Sequence, residues 1–124
     1  MSDGPTEKAD GGWDPAQVRT WLESRMAAAA QEQVYADRKG RDYRDDYDKA
    51  AAEGYVCDVA RRSASVEDQA RFIAFLTAQL AKDDYMLAGV NDDRRFEREV
   101  RACLRKLIKK AKANEGFANL AHFQ

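Results

Sequence analysis

From Asp14 onward, apolar residues recur at steps of three and four, the spacing of one face of a helix. Asp14 is a good N-cap, Pro15 suits the first helical position, and Gln17 can close a capping box. Val18, Leu22, Met26 and Ala29 then define an apolar stripe that Trp21 widens, predicting a first helix over 15–38. The stripe runs on through Gln33, Ala36, Gly40, Tyr43, Tyr47, Ala50 and Gly54 with a 3.5-residue period, the repeat of a helix–helix seam. Its middle members are small, so two helices can approach closely there. An alanine-rich chain also matches such a pattern by composition alone. Gly40 costs about 1 kcal/mol relative to alanine inside a helix. The pattern therefore fits either one long helix or two helices hinged near Gly40.

The second helical stretch runs through Tyr55–Val59 and should end near Arg62. Ser65 offers an N-cap, with Asp68 three residues on, for a helix whose face is Val66, Ala70, Ile73, Leu76, Thr77 and Leu80. Phe72 and Phe75 flank that face. As the most hydrophobic stretch, this helix is expected at the centre of the core. Met86–Val90 reads as an apolar connection packed onto the body. Asn91 is expected to cap the last helix, Asp92 and Asp93 to fill its first turn, and Lys109, Lys110 and Lys112 its last. Phe96, Val100, Cys103, Leu104, Leu107, Ile108 and Ala111 form its inward stripe, and Asn114-Glu115-Gly116 is a stop signal. Phe117, Leu120 and Phe123 are too apolar for a free tail and either fold back or form a docking peptide. Residues 1–12 read as a disordered leader. The expectation is all-α, a single small domain of four or five helices over 13–124, with a long helix-hairpin as one option.

Composition supports that reading. Prolines occur only at 5 and 15, so nothing later breaks a helix. Charged residues reach 35%, above the usual quarter, which favours helices with a large solvated surface. No run of 18 apolar residues occurs, and the first residues lack the apolar core of a secretory signal. Cys57 and Cys103 are most simply reduced thiols, which points to the cytoplasm. Charge is segregated: residues 1–60 hold 8 basic and 13 acidic side chains, residues 61–124 hold 13 and 9.

Sites of familiar chemistry are missing from the sequence. Structural zinc needs about four Cys or His ligands, and this chain has two cysteines and one histidine, far apart. Residues 42–54, DYRDDYDKAAAEG, do not keep the register of a calcium-binding loop. His122 stands near the end of the chain, an unfavourable place for a general base. Cys57, in VCDVARRS, lacks the glycines and the arginine spacing of a cysteine-based phosphate loop and reads as a small buried hydrophobe. The aspartate pairs at 45/46, 83/84 and 92/93 are the remaining candidates for acid–base work, and the last has a capping role. Neither GxxxxGK nor GxGxxG occurs. These absences imply a non-enzymatic protein without cofactor or metal.

Two surface features remain. Residues 94–112 hold nine basic and two acidic side chains, and Arg94, Arg98, Arg101, Arg105, Lys109 and Lys112 share one face of the predicted helix. That ridge can meet a protein, a nucleic acid or the acidic half of its own chain. The stretch RKGRDYRDDYDK, residues 38–49, has i,i+4 pairs Arg38–Asp42, Arg41–Asp45, Arg44–Asp48 and Asp45–Lys49, suited to a salt-bridged helix with Tyr43 and Tyr47 on one side. Trp13, Tyr35, Tyr43 and Tyr47 look exposed, and Tyr and Arg are enriched at binding hot spots. The sequence therefore points to a protein–protein interaction module, a small regulator, adaptor or inhibitor of a larger complex. Its candidate contact residues are Tyr43, Tyr47, Arg94, Arg98, Arg101, Arg105, Lys109 and Lys112. The alternative is nucleic-acid binding by helix 94–112. The 3.5-residue stripe through Ala29, Ala36 and Gly40 favours a homodimer.

Overall fold

The computed structural model describes residues 12–82, 85, 89–114 and 117. These form four α-helices: α1 (Pro15–Lys39), α2 (Arg44–Arg62), α3 (Gln69–Leu80) and α4 (Asp93–Ala113). Short 3-10 turns at Arg41–Tyr43 and Ala64–Glu67 join α1 to α2 and α2 to α3. The expected all-α class is what forms. The expected leader lies outside the described residues apart from Gly12, as do Asp83, Asp84, Leu120, His122 and Phe123.

Helix α1 starts as its sequence dictates: the Asp14 carboxylate accepts from the backbone N–H groups of Ala16 and Gln17, at 3.0 and 3.4 Å. The return bond from the Gln17 side chain does not form among the described residues. At the other end the alternative left open by Gly40 is resolved in favour of a break. Gly40 adopts φ +89° and ψ −151°, where a side chain would be strained, and its N–H closes the helix on the Ala36 carbonyl at 3.1 Å.

The continuous stripe thus folds back on itself. Ala29 and Ala36 on α1 are buried, as are Ala50 and Ala51 on α2, and a Cβ added at Gly54 would lie 3.6 Å from the Ala29 Cβ. Arg25 on α1 reaches Glu53 on α2 at 2.8 Å. These contacts pair early α1 with late α2, an antiparallel hairpin in which small residues permit close approach. The seam that favoured a homodimer is occupied inside one chain.

Helix α2 has a second buried line. Asp48, Ala52, Val56 and Ala60, at steps of four, are all 2% exposed or less and turn toward the rest of the core. Helix α4 packs there and also holds α3, with Gln69 of α3 donating to the Ala111 carbonyl at 2.8 Å. The centre of the core is therefore α4, through Phe96, Val100, Leu104, Leu107, Ile108 and Ala111. Helix α3, expected at the centre, buries only Phe72 and Leu76 completely, and Ala70 and Thr77 of its expected face are exposed. The reason is its start. Ser63 and Ser65 shape the 3-10 turn, and Asp68 caps α3 by accepting from Arg71 N–H at 3.0 Å, so the helix begins later and is rotated.

Trp13, expected to be exposed, is buried: its indole N–H donates to the Val66 carbonyl at 2.8 Å and its ring packs on Phe72 and Phe117. Phe117 is itself buried between Trp13 and Trp21, so the chain does fold back as far as that residue. The close hairpin yields a direct expectation. Gly54→Ala places its methyl in ordinary contact with Ala29 and should stabilise by up to about 1 kcal/mol from helix propensity. Gly54→Leu should force α1 and α2 apart and cost about 1–3 kcal/mol. Urea denaturation of the two variants checks both signs.

Candidate functional site

Among the described residues, Asp48 is the one charged residue buried in the core, with no exposed surface. Burying a carboxylate is tolerable only if its lone pairs are met, and here four donors converge. One oxygen accepts from the Asn91 backbone N–H at 2.8 Å and the Asn91 side-chain amide at 3.2 Å. The other accepts from the Asp92 N–H at 3.0 Å and from Arg95 Nη1 at 2.8 Å. The second Arg95 nitrogen reaches the exposed Asp45 at 3.0 Å. Asp92 then caps α4, accepting from the N–H groups of Arg94 and Arg95 at 3.0 and 3.1 Å, bonds that hold its carboxyl below the usual range. The cap is Asp92 rather than Asn91, whose backbone N–H and side-chain amide are both given to Asp48.

This latch overturns the expected pairing along residues 38–49. Asp45 and Asp48 meet Arg95 across the fold instead of Lys49 or Arg44 along the chain, and the turn at Gly40 separates Arg38 and Lys39 from the rest. Neither Asp48 nor Arg95 was among the expected contact residues. A signal for Asp48 existed: it lies four residues before Ala52, in line with Val56 and Ala60. Arg95 carried no comparable mark among the nine basic residues of 94–112.

Beside the latch lies a cleft of about 440 Å3, lined by Ala36, Gly40, Tyr43, Arg44, Tyr47 and Asn91 among others. It combines the end of α1, the start of α2 and the approach to α4. Tyr43 and Tyr47, both half-buried, meet here as expected from their spacing. The exposed Tyr35 extends the aromatic surface, its ring edge-on to Tyr43 at 6.3 Å, with the Lys39 ammonium 5.2 Å from the Tyr35 ring centre. Asn91 touches both cleft and latch, so the seating of α4 shapes the cleft wall.

The six ridge residues of α4 do not behave alike. Arg94, Arg98, Arg105, Lys109 and Lys112 are exposed and, among the described residues, have no ion-pair partner. Arg101 is held down: it pairs with Glu97 at 2.9 Å, donates to the Lys82 carbonyl at 2.9 Å and lies over the buried Tyr85 ring. Among the described residues, the acidic half of the chain pairs with Arg95 of α4 and with none of the six ridge residues, so the ridge is not tiled against residues 37–58. The tyrosine cleft and the ridge are separate surfaces.

The two cysteines are free thiols near one another on α2 and α4. Burial pushes the Cys57 thiol far up, reinforced by Cys103, and burial with the nearby Glu53 carboxylate pushes Cys103 up to about 12. Neither has the depressed pKa of a nucleophile. Among the described residues no helix is long and apolar enough to cross a membrane. Comparison with protein-family models, with curated proteins and with solved structures finds no match to this chain.

Two expectations follow. Arg95→Ala leaves the buried Asp48 charge without its cation, and Asp48→Ala leaves the Asn91 and Asp92 N–H groups without their acceptor. Each should cost about 3 kcal/mol or more, measured by urea denaturation, with early loss of amide-exchange protection in the first turn of α4. The raised thiols make stability fall on the alkaline side. Their contribution is complete below about pH 8.5, where unfolded thiols are protonated, and is lost as pH rises above it. A Cys57→Ala, Cys103→Ala double variant should show a flatter stability profile between about pH 8 and 10.

Proposed function

We propose that this chain is a non-enzymatic protein–protein interaction module, a small regulator, adaptor or inhibitor of a larger complex. The observation that carries the reading is the tyrosine cleft. Tyr43 and Tyr47 line an open cavity of about 440 Å3, and Tyr35, 54% exposed, continues the aromatic surface outside it. Tyrosines presented at the rim of a preformed hollow supply large, rigid contact area at low entropic cost, as binding hot spots do. Arg44 in the wall adds a cation for a carboxylate on the partner. The polar side chains around the cleft are the kind that orient a partner.

A second reading has its own observation. The exposed Arg94, Arg98, Arg105, Lys109 and Lys112 form an unpaired cationic line along α4, the footprint of a phosphate-binding surface. Arg101 contributes less than its position in the sequence implies, because Glu97 already neutralises it.

The two readings separate experimentally. Affinity capture from native extract, followed by quantitative binding of the captured protein, should show Tyr43→Ala and Tyr47→Ala each weakening binding by about tenfold or more. Their helical circular dichroism should match that of the parent. Unchanged affinity in both variants would remove the tyrosine reading. Binding to mixed-sequence DNA or RNA that weakens steeply between about 50 and 200 mM salt, and disappears in an Arg98→Glu, Arg105→Glu variant, would favour the second reading.

A further inference from the structure

A second hollow lies away from the tyrosine cleft, where α1, α2 and α4 meet. Trp21, Cys57, Cys103 and Leu107 wall a space of about 240 Å3, and Lys106 and Lys110 stand among its lining residues. Its walls are apolar, and burial keeps both thiols protonated and uncharged at neutral pH. The Lys110 ammonium lies 4.7 Å from the Trp21 ring centre and 5.0 Å from that of Phe117. A second recess of about 230 Å3 shares Glu53, Cys103 and Lys106 with the first and adds Lys49 and Glu99, so the two form one groove.

The charges in this groove are unbalanced. Glu53 is matched by Arg25 at 2.8 Å. Lys49 and Lys106 are exposed and, among the described residues, have no ion-pair partner, and they outnumber Glu99. An apolar pit with the exposed ammonium groups of Lys106 and Lys49 beside it complements an apolar group that carries carboxylates next to it. Size narrows the choice further. The apolar part is only about 240 Å3, and it opens into a polar recess instead of closing around a ligand. Those proportions suit one large side chain of a protein segment whose neighbouring residues remain outside.

We infer that the groove between α1, α2 and α4 docks an acidic peptide segment, with one Leu, Met or Phe seated between Trp21 and Leu107 and adjacent Asp or Glu side chains meeting Lys106 and Lys49. It shares with the proposed function the premise that the chain binds protein, but it uses a different surface.

The test uses the full chain, 15N-labelled, and synthetic 12-residue peptides carrying one Leu, Met or Phe among Asp and Glu. A matched set has Lys in place of the acidic residues. The acidic set should shift the Trp21 indole signal and the amides around Cys103 and Leu107, saturably, and the basic set should not. A Lys49→Glu, Lys106→Glu variant should weaken that binding at least tenfold with the remaining spectrum unchanged. An Arg98→Glu, Arg105→Glu variant, of equal charge change on the outer face of α4, should stay within about twofold. Tyr43→Ala should also leave it unchanged, so failure here and failure of the tyrosine reading are told apart. Equal binding of both sets, shifts confined to the outer face of α4, or no shift at all would overturn the proposal. So would Trp21 signals that move with protein concentration alone, which would assign the groove to a second copy. Contacts from residues 118–124 to Trp21 in the peptide-free protein would assign it to the chain itself, with the same consequence.

Discussion

A carboxylate without solvent contact, Asp48, ties α2 to the first turn of α4, and much of the arrangement follows from the need to satisfy it. An isolated buried charge would be unfavourable by several kcal/mol, so its site persists only while four donors surround it. Three of them belong to Asn91 and Asp92, which fixes the approach to α4, and the fourth is Arg95, one turn inside the helix. The bond set places the start of α4 beside the start of α2. Phe96 follows directly and packs edge-on against Tyr55 at 5.7 Å, so polar latch and apolar core are continuous. Because Asn91 also lines the tyrosine cleft, a contact that secures the core also shapes that surface hollow.

Helix α2 explains why so few large residues suffice. Its alanines and Gly54 let α1 lie close on one side, while Ala52, Val56 and Ala60 receive α4 on the other. Small residues on two faces permit close packing without bulky knobs, and the large side chains come from the partners: Leu22, Phe72, Phe96 and Leu76. The aromatic cluster of Trp13, Trp21 and Phe117 closes the opposite end of the bundle. The molecule thus keeps its polar latch at one end and its aromatic lock at the other, and both proposed docking hollows lie where α2 meets its neighbours.

Charge is distributed by the same logic. Among the described residues, the acidic excess of the first half meets the basic helix at Arg95 and leaves its outer line unpaired. The outer line of α4 is left solvated, and an amphipathic helix with six core residues can carry such a line without weakening its packing. Surface charges of this kind contribute little to stability, so their arrangement is free to serve association.

Local chemistry accounts for what was readable in the chain. Asp14-Pro15, the proline-free remainder and the stripe from Phe96 to Ala111 depend on neighbours within one or two turns, and the helices they predict form within a residue or two. The nearness of Tyr43 and Tyr47 was legible for the same reason, being a matter of i,i+4 spacing. What could not be read were choices between equally good local options. Whether Gly40 bends or continues, whether Asp48 pairs with Arg44 or Arg95, and which of Ser65 and Asp68 caps α3 differ locally by about 1 kcal/mol or less. Contacts between residues 43 to 47 positions apart decide the second of these. Trp13 shows the same limit, since its burial depends on a carbonyl 53 residues away. Helix identity is a short-range property of backbone and periodicity, whereas helix order, the buried ion pair and the two hollows arise from long-range packing, which no single segment encodes.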